Sequence, residues 1–295
     1  MQTAPFPERV ATAAERSART EGAEPKSPME QAPSVRLAKT YGFGSTAGAV
    51  IVVALMGALL ASTLINPAFG WPVFAEYFFS EPILWGVLMT LVLTAISMFV
   101  AVALGTLLAI MRMSSNPILQ AGSALFSWFF RGIPVLVQLI FWYNFALLFP
   151  NIGPFPTNTV VTPLIAAILG LGLSMAAYMA EVVRGGILSV GAGQIEAIRS
   201  LGMTRAQGLR RVILPQAMRV VLPPMGNELI ALLKWTSLAS VIAVSELMHA
   251  SSLIYSRNFQ VIPLLLVAAA WYLVVTTVFS FGQRYLEQHF GKGAH

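Results

Sequence analysis

The chain has 295 residues, of which 57% are hydrophobic and only 10% are charged. Soluble globular domains contain about 25% charged residues, so this composition excludes an ordinary soluble domain and indicates a membrane protein. Cysteine and aspartate are both absent, which excludes disulfides, thiolate metal sites and the aspartate-based phosphoryl-transfer sites of kinases and many ATPases.

The first 40 residues differ in composition from the rest of the chain. They are polar, rich in Ala, Glu, Pro and Arg, and poor in large apolar residues. They lack the apolar core of a signal peptide, and a segment of this composition does not bury enough apolar surface to fold. We predict that residues 1–40 form a disordered cytoplasmic segment.

Six apolar stretches follow this segment. Each is near or above the ~20 residues that a helix needs to cross about 30 Å of hydrocarbon. The chain is therefore predicted to be an all-α polytopic membrane protein with six transmembrane helices. The predicted spans are Gly44–Ile65, Leu84–Met111, Ser123–Phe149, Val160–Glu181, Pro224–Val244 and Pro263–Gly282.

Basic residues are distributed unevenly among the segments that connect these spans, and cytoplasmic loops carry an excess of Lys and Arg. With the N-terminus in the cytoplasm, the outer loops contain Glu76, Glu81, Glu246 and a single basic residue, Arg257. We therefore predict that both termini are cytoplasmic. The net charge of +6 would also suit nucleic-acid binding, but arginine-rich cytoplasmic loops account for it.

The segment from Glu196 to Pro224, between the fourth and fifth predicted spans, contains five arginines. Residues 194–201 have apolar side chains three residues apart, which predicts a short helix, and Gly202 follows where a helix would end in the left-handed conformation. The stretch from Thr204 to Gln207 is a capping-box pattern that predicts the start of a second helix. Pro215 is predicted to end or kink that helix, because proline supplies no N–H.

Two ordinary interpretations of this basic segment remain open. It could be a loop whose arginines reach anionic lipid headgroups, or a helix-turn-helix whose arginines bind nucleic-acid phosphates. Neither interpretation explains the glutamate at position 196 or the position of the helix pair on a tight connection between two membrane spans.

The order of residues in this segment resembles the EAA motif of ABC importer permeases. Glu196-Ala197-Ile198 is followed after three residues by Gly202, and after nine more by Val212-Ile213-Leu214-Pro215. The chain from about Leu84 to Leu286 is similar to the polar-amino-acid branch of that family, the histidine, glutamine, glutamate, arginine and opine permeases. Supporting stretches are GVLMTLVLTAIS from Gly86, FRGIPVLVQLIFWY from Phe130, AAYMAEVVRGGI from Ala176, GQIEAIRSLG, LPQAMRVVLPPMGNE and LLKWTSLASVI.

The resemblance implies a fold and a domain organisation. The fold is the transmembrane domain of a type I ABC importer, with a five-helix core in residues 84–286. Residues 41–83 would add one transmembrane helix and an extracytoplasmic loop, and residues 287–295 a cytoplasmic tail. Helices at about residues 190–217 would be the coupling helices, which in the family dock into a cleft of the ATPase subunit.

The resemblance also implies function, location and partners. The chain would be a multi-pass permease of the bacterial inner membrane that moves a polar amino acid or a closely related compound. Its expected partners are a cytoplasmic ABC ATPase dimer, a second permease subunit (identical or homologous), an extracytoplasmic solute-binding protein, the amino acid and membrane lipid, but no nucleic acid. No Gly-x-x-x-x-Gly-Lys-Ser/Thr occurs. We therefore expect no enzyme activity and no cofactor here, with ATP and Mg²⁺ used by the ATPase.

The family motif assigns the ATPase-coupling residues and shows two departures. Ile198 replaces the third alanine of the triplet and is expected to face a hydrophobic cleft of the ATPase, and Trp235 stands where the branch usually has aspartate. The expected coupling residues are Glu196, Ala197, Ile198, Arg199, Gly202, Arg205, Leu214 and Pro215.

Two ionisable residues in the fifth predicted span, Glu228 and Lys234, are candidates for the substrate path, because such residues are costly in a membrane. A separation of six places them about 120° apart on a helix, so they are poor partners for each other. Lys234 shares a face with Asn227 and Ser237. It could meet the substrate carboxylate or a backbone carbonyl, with Trp235 shaping the adjoining wall. Alternatively, it could pair with a glutamate of the second permease subunit.

Arg131 and Pro134 are candidates for a gate or for packing. Arg131 is expected near the cytoplasmic start of the third span, where it could extend to the membrane surface, and Pro134 is expected to kink that span. The three histidines lack metal-ligand spacing, so no metal site is predicted.

Two other classes of membrane protein compete with the permease interpretation. An ion-coupled secondary transporter could use Glu228 and Lys234 as a charge relay, but it requires inverted repeats, which the sequence does not display. A membrane-embedded hydrolase is disfavoured by the absence of aspartate and of a Gly-x-Ser-x-Gly elbow. The sequence leaves open which amino acid is carried and whether the permease pairs with itself.

Overall fold

The computed structural model describes residues 43–290, so the predicted disordered segment 1–40 and the end of the predicted tail lie outside the described residues. Short 3₁₀ helices occur at Pro67–Phe69, Phe145–Leu147 and Thr236–Ile242, and Leu209–Ile213 is a π-helical turn. A two-residue hairpin pairs β1 (Asn151–Ile152) antiparallel with β2 (Phe155–Pro156). The α-helices are α1 (Phe43–Ile65), α2 (Trp71–Phe78), α3 (Glu81–Arg112), α4 (Pro117–Gly132), α5 (Val135–Tyr143), α6 (Thr157–Val160), α7 (Pro163–Leu188), α8 (Ala192–Ser200), α9 (Arg205–Gly208), α10 (Leu214–Trp235), α11 (Leu247–Asn258) and α12 (Val261–Phe290).

Helix α1 belongs almost entirely to a first structural unit that ends at Thr63, and the chain from Leu64 onward forms a second unit. Its bounds agree with the first predicted span. The stretch Ala47–Ile65 has a mean hydropathy of 2.4 and is long enough to cross a bilayer. The side chains along this stretch are exposed apart from Thr63, which is partly buried. An apolar helix with such a surface is suited to lipid.

The core of the second unit is built around α7, which packs against α3, α4, α5 and α10. Small residues let these helices approach closely. A Cβ on Gly105 of α3 would lie 2.5 Å from Cβ of Met179, and one on Gly186 of α7 would lie 2.2 Å from Cγ2 of Val221. Close packing at glycines is typical of membrane helices, where no hydrophobic effect drives helix association.

The six predicted spans correspond to four continuous helices and two bent helix pairs. The third prediction, a single kinked helix over Ser123–Phe149, is wrong in its form. The chain instead begins α4 at Pro117, where the Asn116 side chain accepts a hydrogen bond from the Ile118 N–H, and breaks before Pro134. Helices α4 and α5 meet at 99°, because the residue before a proline is driven into extended backbone.

The fifth span also differs from the prediction. Helix α9, the π turn, α10 and the 3₁₀ helix run continuously from Ala206 to Ile242, rather than from Pro224. Of the two outcomes predicted for Pro215, a helix end or a kink, the helix end is wrong, because a π turn directly precedes Pro215 and the helix continues through it. In a π turn the backbone hydrogen bonds join residues five apart instead of four, and such a turn can lie inside a helix without ending it. The last helix likewise extends to Phe290, beyond the predicted end at Gly282.

A 44° bend separates the 3₁₀ helix from α11, and the glutamate at this bend is buried. Glu246 was expected in an exposed outer loop, but its side chain is 0% exposed. Its carboxylate accepts hydrogen bonds from the N–H groups of Met248 (2.9 Å) and His249 (2.8 Å) and from the Tyr272 hydroxyl (2.7 Å). Glu246 therefore caps α11 and fastens it to α12, because a buried carboxylate requires such partners.

Candidate coupling surface and substrate path

The first short helix of the basic segment, α8, ends in a Schellman motif at Gly202. Gly202 has φ +64°, its N–H donates to the Arg199 carbonyl (3.0 Å), and the Met203 N–H donates to the Ile198 carbonyl (3.1 Å). This pair of bonds satisfies carbonyls that a helix end would otherwise leave without donors. The predicted left-handed turn at Gly202 is confirmed.

The second short helix begins with the predicted capping box. The Thr204 N–H donates to the Gln207 side-chain oxygen (2.9 Å), and the Gln207 N–H donates to the Thr204 hydroxyl oxygen (3.3 Å). These reciprocal bonds satisfy two donors at the helix start. We call residues 192–213, which comprise α8, α9 and the π turn, the helix pair.

Ile198 lies inside the helix pair, so the expectation that it faces a cleft of the ATPase is wrong. Its side chain is only 7% exposed. It packs on Gly208 of α9, where a Cβ would come within 2.6 Å of Ile198 Cγ2. The physical reason is that a glycine at position 208 leaves room for a bulky apolar side chain across the two helices.

The outer surface of the helix pair is partly apolar. Leu201 is 76% exposed, and Ile195 and Leu209 are exposed beside it. Glu196 and Ala197 are also exposed. Glu196 and Arg199 are both described by the structure and form no ion pair with each other. Exposed apolar side chains around a charged residue form a surface that fits a protein partner.

The remaining predicted coupling residues belong to the helix pair or to the start of α10, which follows it. Arg199 is exposed on α8, Arg205 begins α9, and Leu214 and Pro215 are exposed at the start of α10. The helix pair is tied to α10 by a hydrogen bond from the Gln216 side chain to the Gln194 side-chain oxygen (3.4 Å). The structure therefore brings the predicted coupling residues into one segment that is joined to a membrane helix.

A second group of residues comes together from α4, α7 and α10. The Arg131 guanidinium lies 5.2 Å from the centroid of the Tyr178 ring, within cation–π distance. The Trp235 ring meets Tyr178 at a centroid distance of 5.8 Å and an angle of 64°. Glu228 of α10 is partly buried and forms no ion pair with Arg131, both of which the structure describes. We call Arg131, Tyr178 and Trp235 the Arg131 cluster.

Arg131 does not lie where it was expected. It occupies the last turn of α4, rather than a position near the cytoplasmic start of a helix. The helix begins six residues earlier than predicted and breaks just after Arg131, because of Pro134. The side chain is exposed, and its guanidinium lies over the Tyr178 ring of α7.

A cleft of about 460 Å³ lies beside the Arg131 cluster. Arg112, Arg131, Tyr178 and Glu181 are among its lining residues. Glu181 is paired with Arg184 (2.8 Å), so its charge is compensated by that arginine. The two other arginines leave the cleft with positive charge, which favours an anionic group.

Lys234 lies outside the Arg131 cluster. Its side chain is exposed, and it forms no ion pair with Glu228, as the spacing of these two described residues predicted. Its carbonyl accepts a hydrogen bond from the Ser237 hydroxyl (2.7 Å). Asn227 is also exposed and accepts a hydrogen bond from Gln283 of α12 (2.9 Å). The predicted path residues therefore divide into a partly buried set, Glu228, Trp235 and Ser237, and an exposed set, Asn227 and Lys234.

Comparison with known proteins gives a family for this arrangement. Residues 101–292 match the family described as the binding-protein-dependent transport system inner membrane component. The chain belongs to this family. It is an ABC importer permease of the polar-amino-acid branch, and the family is a non-catalytic membrane component of the transporter.

Several relatives of this permease are named for the compound that their transport system carries. It is 46% identical over 257 residues to the arginine transport system permease protein ArgU of Corynebacterium glutamicum, covering 85% of this chain and 81% of that protein. It is 36% identical to the L-cystine transport system permease protein TcyB of Bacillus subtilis, covering 78% and 94%. It is 34% identical to the octopine transport system permease protein OccM of Rhizobium radiobacter, covering 72% and 85%.

Solved structures support the same fold for the permease. One chain in the crystal structure of an amino acid ABC transporter with histidines has a TM-score of 0.65 and 34% identity, covering 73% of this chain and 97% of that one. A chain of the inward-facing MetNI methionine ABC transporter has a TM-score of 0.60 at 21% identity, covering 72% and 99%, which supports the fold alone. The predicted type I importer fold is confirmed.

Sequence reasoning missed three residues of the permease that the structure makes prominent. Tyr178 joins Arg131 to Trp235, Gly208 receives Ile198, and Gln138 lies at the break between α4 and α5. Tyr178 belongs to a stretch that carried the family resemblance, but nothing local in that stretch indicates its neighbours. Among the described residues, no group of three or more potential metal ligands lies close together.

Proposed function

We propose that this permease moves a polar amino acid or a closely related compound into the cell, driven by ATP hydrolysis in a separate cytoplasmic ATPase dimer. The observation that carries the proposal is the helix pair, a folded elbow with Glu196 and exposed apolar side chains on one connection between membrane helices. The relatives that transport arginine, L-cystine and octopine support the substrate class.

The helix pair is the proposed coupling element. Its outer surface, with Glu196, Ala197 and Leu201, docks into a cleft of the ATPase, while Arg199 and Arg205 contact the ATPase or hold the segment at the membrane surface. The capping box, the Schellman motif and the Ile198 packing make the pair stiff, so that it transmits displacement. The permease has no ATPase site of its own, and ATP and Mg²⁺ are bound by the ATPase.

The Arg131 cluster is the proposed substrate contact. Arg131 places a guanidinium over the ring of Tyr178, which in turn contacts Trp235. Glu228, partly buried on α10, is proposed to supply a carboxylate to the same path. A guanidinium binds a carboxylate with charge-assisted hydrogen bonds, and a carboxylate binds an ammonium in the same way. Arg131 and Glu228 together therefore suit the two charges of a zwitterionic amino acid.

Lys234 is proposed to act at the boundary with the second permease subunit. It is exposed in the single chain, on a face shared with Asn227 and Ser237. A lysine within a membrane helix requires a counter-charge or a hydrated path. A glutamate of the second subunit is the proposed partner, and direct contact with the substrate carboxylate is the alternative.

The proposed placement of the permease in the bacterial inner membrane has both termini and the helix pair in the cytoplasm. An extracytoplasmic solute-binding protein then delivers the amino acid to the opposite face. Residues 84–286 are the proposed permease domain, residues 41–83 an added helix and outer loop, and residues 287–295 a cytoplasmic tail. The second permease subunit is a copy or a homologue.

The experiment that tests the transport function uses the purified complex of permease, ATPase and solute-binding protein in proteoliposomes. We expect ATP hydrolysis to rise when binding protein loaded with arginine, L-cystine or octopine is added, and labelled amino acid to accumulate only with ATP. Uptake driven by an ion gradient after ATP depletion would instead support a secondary transporter that uses Glu228 and Lys234.

The coupling role is tested by cross-linking, which the absence of cysteine makes simple. The Glu196→Cys variant is expected to cross-link to an ATPase subunit that carries a cysteine in its docking cleft. The Gln260→Cys variant, in the short connection between α11 and α12, is the matched control. It is expected to give no cross-link. Equal cross-linking of the two variants would contradict the coupling role.

The two candidate contacts for the carboxylate are separated by paired variants. Arg131→Gln is expected to lower uptake about tenfold or more, the usual effect of losing a hydrogen bond to a charged group. Arg284→Gln, at an exposed position of α12, is its control. Lys234→Met is expected to weaken the association of the two permease subunits. If Lys234→Met assembles normally but loses uptake, Lys234 rather than Arg131 would be the contact for the substrate carboxylate.

A further inference from the structure

The break between α4 and α5 leaves helix carbonyls without their usual donors. In a continuous helix the Phe130 carbonyl would accept from the N–H of residue 134, but that residue is a proline and has none. The Val137 and Gln138 N–H groups donate to the Pro134 carbonyl (3.0 and 3.2 Å). The Val137 N–H therefore does not donate to the Ile133 carbonyl, as it would in a continuous helix. Carbonyls within a membrane protein must find other partners.

The side chain of Gln138 supplies the missing donors. Its amide nitrogen donates to the Phe130 carbonyl (3.0 Å) and to the Ile133 carbonyl (2.9 Å), which uses both of its N–H groups. Its amide oxygen accepts from the Ser174 hydroxyl on α7 (2.7 Å). Gln138 and Ser174 are both buried. One side chain therefore closes the break and fastens it to α7.

The end of α4 also meets α7, at Arg131. Arg131 follows Phe130 directly, and Tyr178 lies four residues after Ser174, on the same face of α7. The hydrogen bond from Ser174 to Gln138 of α5 and the contact of Arg131 of α4 with Tyr178 are thus neighbouring contacts on one face of α7. Any shift of the broken end of α4 would displace Arg131 from Tyr178.

We propose that Gln138 is a positioning residue for transport, which holds the end of α4 on α7 so that Arg131 stays at the substrate path. The inference rests on the proposed function, because Arg131 is the group that touches the amino acid. Gln138 itself is bonded to Phe130, Ile133 and Ser174 and acts through Arg131.

The experiment compares Gln138→Met with Gln120→Met in the reconstituted complex. Methionine is unbranched and close to glutamine in size, but it donates no hydrogen bond. Gln120 lies near the start of α4, is exposed, and donates a hydrogen bond to the Ser114 carbonyl, away from the break. We expect the amount of amino acid moved per ATP hydrolysed to fall about fivefold or more in Gln138→Met, because small misplacements of a contacting group are costly. Gln120→Met should match the parent protein.

A double-variant cycle tests whether Gln138 acts through Arg131. If it does, Gln138→Met adds little to the loss already caused by Arg131→Gln, so the two effects are not additive. Ser174→Ala, which removes one hydroxyl, gives a second and milder test. It should lower the transport ratio less than Gln138→Met does, and the combined variant should resemble Gln138→Met alone.

Two results would overturn the proposal. They are an unchanged transport ratio in Gln138→Met and full additivity of Gln138→Met with Arg131→Gln. Should Gln138→Met fail to assemble, additivity of Ser174→Ala with Arg131→Gln decides against it in the same way. Failure of the proposed function is a separate result, since amino-acid-loaded binding protein would then not stimulate the parent complex.

Discussion

The side chain of Ile198 lies on the backbone of Gly208, across the two helices of the helix pair. A Cβ on Gly208 would lie 2.6, 3.2 and 3.4 Å from the three outer carbons of Ile198. Isoleucine is β-branched and stiff at χ1, so it has little freedom to move away. The contact therefore sets the distance between the two helices that we propose dock on the ATPase.

Gly208→Ala is predicted to impair coupling. The added methyl group would force the two helices apart, because the nearest atom, Ile198 Cγ2, belongs to a stiff side chain. We expect ATP-dependent uptake to fall several-fold. The measurement is uptake and stimulated ATP hydrolysis in proteoliposomes that contain equal amounts of assembled complex.

A second substitution is expected to reverse this effect. Ile198→Ala combined with Gly208→Ala removes the clash, and it also restores the third alanine of the family motif. Gly193→Ala is a matched control on α8, because a Cβ there meets no atom within 4 Å. Loss of uptake in Gly193→Ala, or no recovery in the double variant, would contradict the packing explanation.

Gly202 is predicted to tolerate asparagine better than valine. Its φ of +64° lies in the left-handed region, and no neighbouring atom lies within 4 Å of a Cβ there, so only the backbone conformation discriminates. A side chain costs about 1–2 kcal/mol in this conformation, and asparagine adopts it more readily than a β-branched residue. Uptake should therefore rank glycine, asparagine, valine. Equal uptake by the two variants would exclude backbone strain as the cause.

Tyr272→Phe is predicted to destabilise the permease without touching the helix pair or the Arg131 cluster. The variant loses the hydroxyl that donates to Glu246 (2.7 Å), and a buried acceptor that loses a donor costs about 1–3 kcal/mol. We expect a lower melting temperature for the purified complex. Tyr143→Phe, at an exposed position, is the control. The same loss in both variants would mean that the Glu246 bond is not the cause.

The proposed orientation predicts opposite labelling of two engineered cysteines in a chain that has no native cysteine. Gln260→Cys, between α11 and α12, should react with a membrane-impermeant thiol reagent in intact cells. Gln288→Cys, near the end of α12, should react only after permeabilisation. Both positions are exposed in the structure. The reverse pattern would place the helix pair outside and end the coupling proposal.

Local features of the fold were predictable because their causes are local. The turn at Gly202 and the capping box at Thr204 depend on residues within three positions of each other, and both were predicted correctly. The membrane spans were predictable because about 20 consecutive apolar residues suffice to define one. Their bounds were less accurate near Pro134, where a break replaced a kink. They were also less accurate for the fifth span, which begins at Ala206 and continues through Pro215 rather than beginning at Pro224.

The sequence by itself determined the class of protein, the number of apolar spans and the position of the helix pair, since each follows from composition or short-range spacing. Tertiary structure alone decided which side chains meet. Arg131 and Tyr178 lie on different helices, as do Gln138 and Ser174, and Ile198 turned inward because Gly208 left space for it. Such contacts join residues that are far apart in the sequence and depend on how the helices pack. The spacing of apolar residues within one helix does not predict them.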